Sequence, residues 1–486
     1  MNISVIGSGF SGLSAAAYLA KKGHKVSVYE KNETIGGRAR MFTQDGFMFD
    51  MGPSWYWMPE VFEKFFKDHG SSVNEHYDLV RLDPSYQVFF EDEKLEIPAD
   101  YESLLMVFEK LEKGGADKLN RFLQSAKLKY DAAMTGPVKL PGMSFTELFQ
   151  PKIVKSALHL KLTQSFSEYV RKQFNSSKIH QLLEFPILFL GSSPTKIPAL
   201  YSMLNYADMK LGTWYPMGGM YKIIEGFERV VKSYGVDFHT SAPVEAITVN
   251  AGNANALKLQ NDTIATDLIV AGADYHHVER NLLPSDLWQY TDKYWDSRDM
   301  APSAIIMYLG VKGQIPGLLH HNLFFDEPYQ AHLDTINIIK DWPENPLFYV
   351  SNPSKTDPSV APAGYENLFV LIPTTPGLLN EYDNLKEHYL KIVVGRIKKQ
   401  TGVDISDRIV VKKFFMPNDF VNDYNAFKGN AYGLANTLMQ THFLKPRMKH
   451  KKINNLFFTG QLTVPGPGVP PTILSGEIVA SLINNN

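Results

Sequence analysis

The sequence predicts an α/β fold: a parallel sheet wound with helices and interrupted twice by inserted segments. Three observations predict it. A β-branched run at the N-terminus passes through a glycine-rich turn into a helix and a second strand. Strand-like alternation resumes beyond Trp214 after a mostly helical stretch. A short strand near the C-terminus then enters a proline–glycine loop that leads into a helix.

The chain has 486 residues, enough for two or three domains around a large core. Its apolar fraction, 44%, is ordinary for a globular protein, and the formal net charge of −2 gives no electrostatic reason to expect nucleic acid. Cysteine is absent, which excludes disulfides, zinc–thiolate sites, iron–sulfur clusters and a dithiol relay. No run approaches the ~18 apolar residues of a membrane-spanning helix. Met1-Asn2-Ile3 leads straight into a strand rather than a signal peptide, so the expected location is the cytoplasm.

Each residue of the opening segment has a physical reason. Ile3 to Ile6 reads as a buried strand, Leu13 to Lys22 as a helix closed by Gly23, and Lys25 to Tyr29 as the next strand, ending at Glu30. Between them lies Gly7-Ser8-Gly9-Phe10-Ser11-Gly12. Gly7 permits a tight turn, Gly9 lets a pyrophosphate reach the backbone, and Gly12 lets helix pack on strand. The helix N-terminus offers free N–H groups to phosphate, and Glu30 suits a ribose hydroxyl. Strand, turn, helix, second strand and acid together make a dinucleotide-binding unit. Gly36-Gly37-Arg38 adds flexible backbone and a guanidinium for a second phosphate contact, and Phe47 to Ser54 reads as a strand entering a turn.

Here a family likeness emerges. Glu30-Lys31, Gly36-Gly37-Arg38, Asp50 and Gly52-Pro53-Ser54 together resemble the superfamily of flavin-containing amine oxidases and carotenoid desaturases. The C-terminal Gly460-Gln461, Pro465-Gly466 and Gly468-Val469-Pro470 narrow the resemblance to bacterial-type carotenoid (phytoene) desaturases. Gly212 to Met220, Ala271 to His276 with Leu282-Leu283-Pro284, Asn425 to Tyr432 and Thr441 agree with it, as does Met51 to Pro59. The likeness therefore runs the whole chain in order. Gln461 and Pro471 depart from the pattern, since many relatives carry an acidic or small residue there.

The resemblance implies a Rossmann-type FAD-binding domain of the p-hydroxybenzoate hydroxylase and amine oxidase kind, with a twice-inserted α+β substrate domain. The expected boundaries are 1–75, 206–286 and 422–486 for FAD, and 76–205 and 287–421 for the substrate and the membrane. The implied cofactor-binding residues are Gly7, Ser8, Gly9, Phe10, Ser11, Gly12, Glu30, Lys31, Gly36, Gly37, Arg38, Gly52, Pro53 and Ser54. Val244, Ala273, Asp274, Gly460, Gln461, Gly468, Val469 and Pro470 complete that set.

The implied activity is desaturation of a C40 carotenoid precursor, phytoene towards lycopene, by hydride transfer to flavin and loss of a proton. Hydroxycarotenoid or diapophytoene desaturation, carotenoid isomerisation, amine oxidation and non-enzymatic prenyl-lipid escort are the alternatives. The sequence shows no second GxGxxG and no cysteine pair, so quinone or oxygen is the expected electron acceptor. A hydrocarbon substrate implies a long apolar tunnel and contact with the inner face of the cell membrane. An amphipathic stretch from Pro151 to Phe166 and the cluster Lys445, Arg447, Lys449, Lys451 and Lys452 are the candidates for that contact, with domain packing and a solvated loop as their plainer readings. His276, His277, His320, His321 and His442 are candidate proton acceptors by residue type alone, and Glu147 reads as a helix cap within Ser144-Phe145-Thr146-Glu147.

Overall fold

A computed structural model describes residues 1–144, 146–147, 163–188, 190–380 and 383–485. The candidate membrane helix falls mainly on 151–162, outside the described residues.

Two sheets organise the chain. The first has five strands in the order Leu456–Phe458, Leu268–Ala271, Asn2–Ile6, Lys25–Tyr29 and Asp237–His239, every pair parallel. Strands more than 400 residues apart in sequence thus lie two places apart in one sheet. Helix Phe10–Lys21 crosses from the first strand to the second and is buried along most of its length. The last helix, Val469–Asn484, packs on it closely. A Cβ at Gly476 would lie 2.6 Å from the Ser11 carbonyl oxygen, and the Ser14 hydroxyl donates to Ile473 O at 2.8 Å. The N-termini of both helices consequently open on the same side of the sheet.

The second sheet has seven strands: Ile409–Phe415, Ser303–Lys312, Tyr365–Thr374, Phe348–Ser351, His321–Phe325, Tyr86–Phe90 and Lys94–Ile97. Neighbours are antiparallel except His321–Phe325 with Tyr86–Phe90. On one face, Ile305, Met307, Leu309, Val370 and Ile372 share a core with Val393 and Ile397 of helix Asp383–Thr401. The opposite face carries Ala304, Ile306, Leu323, Phe325, Leu371 and Pro373, which floor a cavity. Covered on both faces, Ser303–Lys312 and His321–Phe325 are buried along nearly their whole length rather than alternating.

Most elements fall where the sequence places them. Two begin earlier. The first helix starts at Phe10, inside the glycine motif, and the last at Val469, taking Pro470 and Pro471 into its first turn. Proline fits there because the first helical N–H groups have no intrahelical acceptor to lose. The basic cluster is not one surface: Lys445 is buried, Lys449 lies over the Phe457 ring, and Lys452 donates to Asp286 O and Trp288 O.

Candidate active site

The three motif glycines have three different reasons to be glycine. Gly7 has φ +93°, and a Cβ there would lie 3.1 Å from Ala273 N. A Cβ on Gly12 would lie 2.1 Å from Gly7 O, so only glycine lets helix meet turn. A Cβ on Gly9 would meet nothing within 4 Å, because Gly9 faces open space. That space is one end of a cavity of about 920 Å³. Every sequence-derived cofactor residue lines it except Gly12, whose place is the helix–turn contact beneath.

The chain holds this end rigid. Glu30, at the tip of the second strand, accepts from Ser8 N (3.0 Å), Ser8 Oγ (2.6 Å), Asn32 N (2.9 Å) and Asn32 Nδ2 (3.0 Å). Four donors fill the lone pairs of its carboxylate. A ribose hydroxyl would trade places with Ser8 Oγ or Asn32 Nδ2, the two donors able to rotate away. Lys31 ties the same loop to Asn422 O and Asn425 Oδ1. Arg38 is half-buried beside Gln461. With its amide oxygen turned to the guanidinium, Gln461 accepts from Nη2 at 3.0 Å and Nη1 at 3.3 Å. Arg38 Nε keeps no partner among the described residues. Asp274 caps the short helix after Leu268–Ala271 by accepting from His277 N, and burial raises its carboxyl to about 6 against the opposing pull of Arg38. Opposite these, Gly460 N donates to Ser475 Oγ, fixing the turn between the last strand and the last helix. An orphaned buried guanidinium nitrogen, an open space at Gly9 and two converging helix N-termini fit an anionic dinucleotide.

Beyond this cradle the cavity turns apolar. Its floor is the sheet face described above. Its walls come from Tyr130, Ala133 and Met134 of helix Gly115–Thr135, from Phe185 and Leu188, and from Tyr201, Met203 and Leu204. Cross-strand register sets the floor in rows: Ile306, Leu371, Tyr349 and Leu323 in one, Ala304, Pro373 and Phe325 in the next. Met51 closes one end, its carbonyl accepting from Tyr308 Oη at 2.8 Å.

The five candidate histidines do not come together. His276 stacks on Phe427 with ring centroids 4.0 Å apart, and His277 borders the cradle, held neutral by burial that lowers it to about 4. His442 lines the far wall. His321 lies on the same face of its strand as Leu323, one row beyond it, where Trp55 stacks over its ring at 4.1 Å; neither it nor His320 lines the cavity. The Glu147 carboxylate accepts from Gly142 N, Met143 N and Ser144 N, and the helix it is expected to cap lies outside the described residues. Sequence reasoning missed Trp55 and Tyr349, which line the cavity. Only the position of Trp55 directly after Ser54 could have signalled it; Tyr349 reaches the site through strand register.

Comparison with known proteins agrees with this geometry. Residues 10–484 match the family of flavin containing amine oxidoreductases. The chain belongs to that family. It is a flavoprotein oxidoreductase. It is 40% identical over 484 residues to a carotenoid 3,4-desaturase of Haloarcula japonica, covering 99% of this chain and 98% of the relative. It is 30% identical over 485 residues to a zeta-carotene-forming phytoene desaturase of Myxococcus xanthus, covering 98% and 92%. In fold it is similar to an oxidoreductase from Methanosarcina mazei, with TM-score 0.65, 18% identity and full coverage of both chains.

Proposed function

We propose that this protein is an FAD-dependent carotenoid desaturase that removes two hydrogens from adjacent carbons of an acyclic polyene. One observation carries the reading: a single cavity joins the glycine-rich cradle to a long apolar floor, so a cofactor and a hydrocarbon chain can meet inside the protein. The adenine dinucleotide is favoured by the second glycine turn at Gly36-Gly37, where both residues have positive φ and line the cavity, and by Arg38 beside it. We assign the five-stranded unit to FAD and the seven-stranded unit to the substrate. Bound flavin accepts the hydride of such a reaction. The protein's part is to hold the polyene flat against the floor, to keep water away from it with aromatic and aliphatic walls, and to receive the proton.

Likeness orders the candidate steps. Identity of 40% to the 3,4-desaturase against 30% to the phytoene desaturase favours the bond near the chain end over the first steps from phytoene. Quinone or oxygen remains the proposed electron acceptor.

The proposed location is the inner membrane face. Among the described residues no helix is long and apolar enough to cross a membrane. Leu438 and Met439 line the cavity yet are 40% and 69% exposed, and Ile338 and Ile339, just after the lining residues Ile336 and Asn337, are 69% and 66% exposed. Such side chains at a cavity mouth suit entry of a lipid-borne substrate.

Expression in cells that accumulate lycopene, and separately in cells that accumulate phytoene, tests the step. A red shift of the extracted pigment in the first strain with the second left colourless is the expected result. Colour arising from phytoene would instead assign the early steps, and no change in either would overturn the function.

A further inference from the structure

A floor built to hold a hydrocarbon has one polar interruption. Tyr349 lines the cavity between Leu371 and Leu323, and its hydroxyl lies 2.6 Å from Nδ1 of His321. Ser54, like Tyr349, lines the cavity, and Ser351 is the cross-strand partner of His321. His321 is fully buried, and its Nε2 has no partner among the described residues. Trp55 stacks on its ring at 4.1 Å, His320 meets it edge-on at 4.5 Å, and His320 Nδ1 lies 2.8 Å from Thr356 Oγ1. Thr356 is half-buried, next to the surface segment after Phe348–Ser351.

The pair sits at the cofactor end of the floor. Ser54 belongs to the Gly52-Pro53-Ser54 turn that borders the cradle. Tyr432, which lines the same cavity, lies two residues after Asn430, whose carbonyl accepts from Arg38 Nη2. A polyene lying on the floor would therefore pass Tyr349 at the cradle end of the cavity.

We propose that Tyr349 is the catalytic proton acceptor of the desaturation and that His321 behind it is the base that takes the phenol's own proton. This rests on the proposed function. One C–H bond of the polyene breaks with its electron pair leaving as hydride to oxidised flavin, and the remaining carbocation is spread over the polyene. The neighbouring C–H bond then breaks, its electron pair forming the new C=C bond. That proton goes to Tyr349 Oη while the phenol hydrogen passes to His321 Nδ1, and the imidazolium gives it to solvent after product leaves. A C–H bond beside a cationic carbon is acidic enough for a neutral acceptor. The faces of Trp55 and Phe185, both lining the cavity, suit a cation passing over them.

The experiment uses the flavin-loaded full chain with carotenoid in liposomes. Tyr349→Phe removes the acceptor with little change of shape. It should lower kcat by about 10²-fold or more, within the range of general acid–base catalysis, with flavin content and KM within twofold of wild type. His321→Asn keeps an acceptor for the phenol but is no base, and should lose kcat to a similar degree. Retention of more than half of kcat by Tyr349→Phe would overturn the proposal, and so would losses confined to KM or to flavin content. Nitrogen-15 NMR of the wild-type imidazoles gives a reading independent of turnover: Nδ1 of His321 unprotonated supports the pair, and Nδ1 protonated overturns it. A wild-type protein that turns over no carotenoid counts against the proposed function, while the NMR result still judges the pair.

Discussion

The two ends of the cavity are built from different materials. At the cradle the surface is largely backbone: Gly9, Gly36 and Gly37 expose peptide groups, two helix N-termini point inwards, and few charged side chains, Glu30 and Arg38 among them, are locked by hydrogen bonds. Along the floor the surface is side chain, supplied by alternate residues of strands whose other face is already packed on a helix. A backbone surface that receives a ligand has no room for a Cβ once the ligand is seated, and no substitute for a lost N–H. A side-chain surface tolerates an exchange of one apolar group for another and answers by changing shape. Binding of a common cofactor thus rests on the intolerant end, and choice of substrate on the adaptable one.

The sharpest way to break this contrast is within the glycine motif. Gly12→Ala places a methyl 2.1 Å from Gly7 O, well inside van der Waals contact, and costs more than the ~1–3 kcal/mol of ordinary overpacking. Expression should yield little folded protein, read by thermal unfolding. Gly9→Ala meets no protein atom within 4 Å, so the apoprotein should melt within a degree or two of wild type yet retain at least tenfold less flavin after purification. If both variants lose stability equally, Gly9 has a structural role and the cradle assignment fails there.

Next in size, Ile306→Phe adds volume to the middle of the floor, beside Leu371 and across from Tyr349. Flavin content should stay unchanged, while KM rises about tenfold or the position of the new double bond moves, read by kinetics and by chromatography of the pigments. Loss of flavin would show that the two ends are not separable.

The smallest effect concerns a buried acid beside the floor. Asp208 accepts from Tyr86 Oη at 3.0 Å and Thr213 Oγ1 at 3.2 Å, and burial raises its carboxyl to about 7. Because the folded value lies above the ordinary value of about 3.9, stability is fully present below pH ~4 and falls as pH rises through 7. Asp208→Asn removes this dependence. Its melting temperature relative to wild type should increase by a few degrees from pH 5 to pH 7.5; a constant difference would mean that Asp208 is ionised throughout.

How much of this was legible in the sequence follows the same division. Ile3 to Glu30 could be read almost residue by residue because strand, turn, helix and acid are contiguous, and each glycine answers a local steric demand. Gly460 to Pro470 was legible for the same reason, although Pro470 and the Pro471 after it, taken as loop, proved to lie in the first helical turn. The floor was not legible. Ile306, Leu371, Tyr349 and Leu323 come from four strands whose register is set only by pairing in the folded sheet. Nor did residue type show that His321 would meet Tyr349, 28 residues away, rather than solvent or substrate. The basic cluster from Lys445 to Lys452 reads as one patch in sequence, yet Lys445 turns inwards, where burial lowers its amine to about 7.

The central claim is that a flavin in the cradle and a polyene on the floor react across one cavity. Its most direct test is the visible spectrum of the purified flavin-loaded protein, mixed without oxygen or quinone with an acyclic carotenoid in liposomes. The account predicts that the oxidised-flavin absorbance bleaches as one equivalent of a longer-conjugated pigment forms, and that admitting quinone or air restores it. A flavin that stays oxidised with every acyclic carotenoid, but bleaches with an amine, would contradict it.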